Sequence, residues 1–290
     1  MMGSQGNAVT DGEFHLSAAD FNTIAKIIHD EAGIALGDNK GHLVYSRLAK
    51  RLRVLGLDSF QEYCELVTGH DGGVERQAMI AALTTNVTRF FREPHHFEHL
   101  KTSVLPPLLQ KAKQGGRVRI WSAACSSGQE PYSIGMSILS LMPDAGRYDV
   151  KILASDIDPN ILREGQEAVY PEQAMESVST ALRAKWFVNA GSGSVRANEE
   201  LRALVTFRKL NLIGNWPMQG LFHAIFCRNV VIYFDAETQA KVWSRFVPLL
   251  EPGAALYIGH SERISGSAEQ MLRSDGVTTY RSIARGASAS

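Results

Sequence analysis

Four stretches of this 290-residue chain combine residue types that a hydrophobic core alone would not use. TTNVTRFFREPHHF (84–97) threads Asn86, Thr88, Arg89, Arg92 and Glu93 between aromatic residues. Such a segment packs rings on a core while offering hydrogen-bond donors to a ligand. SAACSSGQEPYS (122–133) supplies small residues, Gly128 and then Glu130, which leave room for a ligand against the backbone. SDID (155–158) ends in two acids. Asp156 is placed to accept bonds from both hydroxyls of a ribose, and Asp158, before Pro159, reads as a helix cap. CRNVVIYF (227–234) sets Arg228 and Asn229 directly after an apolar run, where a buried guanidinium needs a partner. By pattern alone each stretch also fits a plainer part: a tight turn, a cap, a surface arginine at a strand end.

Several chemistries lack their residues. There is no G-x-G-x-x-G and no G-x-x-x-x-G-K, so nicotinamide dinucleotides and nucleoside triphosphates lose most of their support. His95, His96 and His99 lie close together, but adjacent helical histidines rarely chelate one ion and no acidic-plus-cysteine set accompanies them; no metal is expected. Cys64, Cys125 and Cys227 are far apart and form no CxxC pair, which argues against a disulfide framework or zinc ribbon and fits a reducing cytoplasm. Thirty basic residues balance thirty acidic ones, so no whole-surface nucleic-acid footprint is expected. With 44% apolar and 21% charged residues the chain is neither disordered nor collagen-like. No apolar run is long enough to cross a bilayer, and the N-terminal residues do not read as a secretion signal.

The elements that must position these stretches follow from periodicity. Residues 1–13 read as a flexible tail and 14–93 as a small all-helical domain. In its first helix Phe21, Ile24, Ile27, Ile28 and Ala32 share a face, with Ser17 as N-cap and Gly33 as stop. A second helix, about 41–55, carries Arg47, Lys50, Arg51 and Arg53; from Asn39 to Leu57 there are five cations, counting Lys40, and no acid. A linker helix covers 94–116. From 117 to 286, strands at 118–123, 150–155, 223–229, 254–260 and 277–283 alternate with helices, which predicts a doubly wound α/β sheet. Residues 169–208 are less regular and read as an inserted small β-containing subdomain.

Taken together, TTNVTRFFREPHHF, RIWSAACSSGQEPYSI, ASDIDPNIL, FRKLNL, FHAIFCRNVVIYF and LEPGAALYIGHSE resemble the chemotaxis receptor glutamate O-methyltransferases, the CheR family. The motifs occur in the family's order across most of 80–262. One departure is Gln129, where family members often have Glu; the acid that follows, Glu130, is present. The resemblance implies a Rossmann-like methyltransferase core, S-adenosylmethionine as cofactor with S-adenosylhomocysteine as product, and γ-methyl esterification of glutamates on chemoreceptor signalling helices. It implies that Asn86, Thr88 and Arg92 hold the amino-acid end of the cofactor. Ala123 and Glu130 would line the cofactor pocket, Glu130 near the amino group, and Asp156 would take the ribose. Asn211 and Leu212 would border the adenine. Arg228, Asn229 and Tyr233 would complete the pocket beside the reacting methyl, with Arg92, Arg228 and Tyr233 as the catalytic set. Arg47, Lys50, Arg51 and Arg53 would steer an acidic receptor helix, although a solvated helix face explains them as well. A cytoplasmic monomer without nucleic-acid partners or membrane insertion is expected. The turn in AGSGSVRANEEL is shorter than in members that grip a receptor's C-terminal peptide, which predicts weak or no binding of such a pentapeptide. Two other readings remain: methyl transfer to a different protein, and a non-catalytic cofactor sensor.

Overall fold

The computed structural model of the chain describes residues 8–10 and 12–283. It divides into two compact units, one running to Thr85 and including Tyr233–Asp235, the other comprising Asn86–Ile232 and the chain from Ala236 on.

The first unit is mainly helical. Strand β1 (Ala8–Thr10) pairs antiparallel with β2 (Leu16–Ser17). The expected flexible tail therefore contains a strand; its residues 1–7 and 11 lie outside the described residues. Helix α1 (Ala18–Ala32) begins in a capping box, in which Ser17 Oγ accepts from Asp20 N at 3.1 Å and the Asp20 carboxylate accepts from Ser17 N at 3.1 Å. It ends at Gly33 with a left-handed φ of 74°. Helices α2 (Gly41–Leu55), α3 (Phe60–Thr68) and α4 (Gly73–Leu83) follow. Their buried faces include Val44, Leu48, Leu52, Phe60, Val67 and Met79.

The second unit opens with α5 (Pro94–His99), a five-residue π turn (Leu100–Val104) and α6 (Leu105–Lys113). Pro106 and Pro107 lack backbone N–H groups, so the helical ladder loses two donors at this point and the turn widens. This segment is not a linker. Phe97, Leu100, Val104, Leu105 and Leu109 are buried in the core of the α/β unit, and α6 packs on the first sheet strand.

That strand, β3 (Val118–Ala123), leads through α7 (Gln129–Leu141) to β4 (Val150–Asp156) and α8 (Pro159–Glu167). A small antiparallel sheet then interrupts the main fold. It consists of β5 (Val169–Pro171), β6 (Phe187–Gly191) and β7 (Ser194–Ala197) in the order β5-β7-β6, with α9 (Thr180–Trp186) leading into β6. After α10 (Glu199–Arg202), strand β8 (Val205–Lys209) rejoins the main sheet, parallel to β4 and in register from Ile152 opposite Val205 to Asp156 opposite Lys209. The inserted subdomain thus stops short of 208. An edge strand following a hairpin has the same alternating signature as one more strand of that hairpin, so periodicity could not assign it.

The main sheet is completed by β9 (Phe222–Cys227), α11 (Ala236–Phe246), β10 (Leu250–Ile258) and the hairpin β11 (Leu272–Gly276) and β12 (Thr279–Ser282). The seven strands run β11-β12-β10-β9-β3-β4-β8. The five from β10 to β8 are parallel, and the terminal hairpin adds an antiparallel edge. This is the expected doubly wound α/β architecture. All six residues of β9 are buried, as a strand covered on both faces requires. Among the described residues no helix is long and apolar enough to cross a membrane.

If the 94–113 segment belongs to the core, Leu100→Ala removes a fully buried side chain and should destabilise the protein by about 2–5 kcal/mol. Urea unfolding of the purified variant measures this; a loss below about 0.5 kcal/mol, the range of surface substitutions, would return the segment to the role of linker.

Candidate functional site

The order of the sheet decides where a ligand can bind. From β3 the chain moves outward to β4 and β8, then crosses back to place β9 on the other side of β3. Open α/β sheets bind ligands beyond the carboxyl ends of the strands at such a reversal. The register levels these ends: Ala123 lies opposite Ser155 on one side and Cys227 on the other. Ala123, Asp156, Arg228 and Asn229 therefore stand at or just beyond three adjacent strand ends.

The loop after β3 is tightly wound. Ala124 and Ser126 have left-handed φ values of 60° and 51°. Gly128 has φ 94°, and a Cβ there would lie 3.0 Å from the Tyr170 hydroxyl and 3.1 Å from Gly165 Cα. Only glycine fits both demands. Asp156 anchors this loop, because its Oδ2 accepts from Ser126 N at 2.9 Å while Oδ1 accepts from Asp158 N at 3.1 Å. Burial pushes the Asp156 carboxyl up, and these backbone donors oppose the shift. Asp158 caps α8 through Asn160 N at 2.8 Å, and Asn86 Nδ2 lies 3.4 Å from its other oxygen. The Asn86 carbonyl accepts from Ser126 Oγ at 3.0 Å, so the 84–97 segment and the β3 loop are tied together. Thr88 and Arg92 are partly buried in this segment. Among the described residues the Arg92 guanidinium makes one bond, from Nη1 to the Val87 carbonyl at 3.0 Å.

Arg228 lies at the centre of the site. Its side chain is 2% exposed and bridges two carboxylates, Glu130 at 2.9 Å and Glu93 at 3.1 Å. Its Nη2 also donates to the Arg92 carbonyl. Glu130 accepts from Ser122 Oγ at 2.7 Å, and Glu93 from His260 at 2.9 Å. This changes the expected role of Arg228. A guanidinium whose terminal nitrogens are both engaged has no open fork for a second carboxylate. Burial raises the Glu130 carboxyl, an effect that Arg228 opposes. Burial also raises Glu93, but Arg228 and His260 together outweigh it and carry that carboxyl down to about 2.

The remaining expected residues are distributed more widely. Leu212 is buried and its carbonyl accepts from Arg245 at 2.8 Å, while Asn211 Oδ1 accepts from Ile213 N at 3.1 Å; both follow β8. Tyr233 ends the short turn after β9, is 36% exposed and groups with the helical unit, where its carbonyl accepts from Ala35 N at 2.8 Å.

The basic face of α2 is also corrected. Arg51 forms a fork with Glu75 at 3.0 and 2.6 Å, which Tyr63 also contacts, and Arg53 pairs with Glu13. Both acids lie outside the 39–57 window in which the cations looked unopposed. Arg47 donates to the Ala82 and Thr84 carbonyls and to Thr85 Oγ1. Lys50 is exposed.

Ser122, Ser126 and His260 are not singled out by sequence as site residues, and Glu93 is named only as a polar member of the aromatic segment, with no role assigned. Their type gives little signal. A weak one was available for Glu93, an acid beside an arginine in an aromatic segment.

The donor set fits an S-adenosyl compound. Two carboxylates, Glu130 and Asp156, suit an ammonium and a ribose diol. Two buried donors, Arg228 Nε and Asn229 Nδ2, have no partner among the described residues, where native proteins rarely leave such groups unmatched. Comparison with known families decides the assignment. The SAM-binding domain of CheR methyltransferases matches residues 86–280, and the all-alpha domain of CheR methyltransferases matches 19–84. The chain belongs to the CheR methyltransferase family. A Rhizobium etli protein named "Probable chemotaxis protein methyltransferase" is 54% identical over 263 residues, covering 90% of this chain and 98% of its own. The "Chemotaxis protein methyltransferase" of Escherichia coli K12 is 41% identical over 272 residues, covering 91% of each. "Chemotaxis protein methyltransferase 2" of Pseudomonas aeruginosa is 42% identical over 275 residues, covering 92% of this chain and 94% of its own. In this CheR chain the SAM-binding match begins at Asn86, the residue at which the second compact unit begins.

The charge cluster makes a pH prediction. Glu93 is held below its ordinary value of 4.5, so its contribution to stability is complete above that pH and is lost as pH falls towards about 2. The stability gap between wild type and Glu93→Gln, measured by urea unfolding, should narrow across this window. A gap that is constant from pH 4.5 to 2 would contradict the ion-pair geometry.

Proposed function

We propose that this CheR methyltransferase esterifies glutamate side chains on the cytoplasmic signalling helices of chemoreceptors, acting as a protein-glutamate O-methyltransferase. The observation that carries the reading is the grouping of Asp156 at the end of β4 with Arg228, just after β9, and its partners Glu93 and Glu130, in a chain whose family match covers residues 86–280.

When bound, S-adenosylmethionine supplies a methyl group on a cationic sulfur to an attacking carboxylate oxygen. The protein's part is positioning and exclusion of water. A glutamate with a pKa of about 4.3 is already ionised at neutral pH, so no general base is needed. Glu93, Glu130 and Arg228 together carry an excess of one negative charge when both acids are ionised, which favours a cationic cofactor over its neutral product. Asp156 would hold the ribose, Glu130 would lie near the amino group, and Asn211 and Leu212 would border the adenine. Asn86 and Thr88 would hold the amino-acid end.

Arg92 has a terminal nitrogen to spare, whereas both terminal nitrogens of Arg228 are engaged, and we assign Arg92 to a carboxylate of cofactor or substrate. Alignment of reacting groups at about 3 Å can supply several kcal/mol of the barrier. Receptor steering falls to Arg47 and Lys50, which are three residues apart on one face. Arg47 is bonded to neutral oxygens and among the described residues no acid pairs with it, whereas Arg51 and Arg53 are paired with acids. The β6–β7 turn has only Ser192 and Gly193 between its strands, in keeping with methylation that does not depend on a receptor-tail pentapeptide.

The test is incubation with methyl-labelled cofactor and receptor-containing membranes. Base-labile label on receptors is expected. Label on other proteins would favour the broader methyltransferase reading, and binding without transfer the sensor reading. Arg92→Ala should lose at least about tenfold in turnover, the equivalent of one charge-assisted bond, while its unfolding midpoint stays near that of wild type. Unchanged turnover would remove Arg92 from the site.

A further inference from the structure

The chain leaves β9 through a sharp turn, with Arg228 buried and Asn229 at a left-handed φ of 59°. An asparagine tolerates that conformation but does not impose it. The restraint comes from Glu262, beyond the end of β10. Glu262 is 5% exposed, and among the described residues no cation pairs with it. Its carboxylate accepts four backbone N–H groups instead. Oε2 takes Asn229 N at 3.0 Å and Gly259 N at 2.5 Å, and Oε1 takes Val230 N at 2.9 Å and Val231 N at 2.8 Å. The two strand ends are pressed together here. A Cβ on Gly259 would lie 2.5 Å from Asn229 Nδ2 and 2.8 Å from Asn229 N.

We propose that Glu262 is a positioning residue for methyl transfer: it clamps the Asn229–Val231 backbone in the conformation that delivers Arg228 to Glu93 and Glu130. The proposal rests on the functional reading above and deepens it. Only a carboxylate satisfies the geometry, since four converging N–H donors need two acceptor oxygens. Glu262→Gln keeps the shape but replaces one oxygen with a donor that faces other donors. Glu262→Asp keeps both acceptors on a shorter stem.

S-adenosylhomocysteine is titrated calorimetrically into wild type, Glu262→Gln, Glu262→Asp and the control Glu269→Gln, an exposed acid outside the site. Amide exchange is read in parallel. Glu262→Gln should bind about tenfold or more weakly, the equivalent of one or two lost hydrogen bonds. Its amides at 229–231 should exchange faster while the β3 and β4 amides keep their protection. Glu262→Asp should recover part of both, and the control should match wild type. Wild-type affinity or wild-type protection at 229–231 in Glu262→Gln overturns the proposal, as does an equal loss of protection throughout the sheet. If wild type itself fails to bind, the functional reading fails, and the exchange pattern still decides whether Glu262 is a clamp.

Discussion

The second unit depends on one buried cation. Arg228 is enclosed at the end of β9 with a carboxylate on each side. Desolvating a guanidinium is expensive, and leaving it unpaired by removing a partner typically costs about 3–5 kcal/mol. Its partners come from different places: Glu93 from the segment that enters the unit, and Glu130 from the first turn of α7. His260, beyond β10, adds a further contact to Glu93. The ion cluster therefore sets where three separate pieces of chain meet. A fully apolar substitute could pack as well, but it would not leave a negative excess beside the strand ends.

Backbone strain marks the same region. Eight non-glycine residues have left-handed φ among the described residues, and five of them are Phe91, Glu93, Ala124, Ser126 and Asn229. Such conformations persist where surrounding bonds over-determine them, and they concentrate at functional sites. Here the bonds are visible: Asp156 holds Ser126, and Ser133 accepts from Phe91 N at 2.9 Å. These side chains fix the backbone of the loops at the strand ends by hydrogen bonds rather than by bulk packing alone.

The α/β order was legible because buried parallel strands are continuous apolar runs, as in FHAIFC, and because Ser17 and Gly33 carry distinct cap chemistry. Asp156 at the end of β4 and Arg228 just after β9 were legible for a similar reason, since a charge after an apolar run is conspicuous. What escaped was non-local. The partners of Arg51 and Arg53 lie 24 and 40 residues away, so the helix looked more cationic than it is. The two ion pairs of Arg228, to Glu93 and Glu130, span 135 and 98 residues. No window of sequence reveals that a guanidinium is already spent. The assignment of β8 failed for a different reason: a strand's own pattern does not say which sheet it joins.

The central claim is that the ends of β3, β4 and β9 form one adenosyl-binding crevice. Crystals grown with S-adenosylhomocysteine test it directly. The account predicts ligand density with the ribose hydroxyls on Asp156 and the amino group beside Glu130. Density elsewhere on the chain, or a crevice with no ligand at saturating concentration, would contradict it.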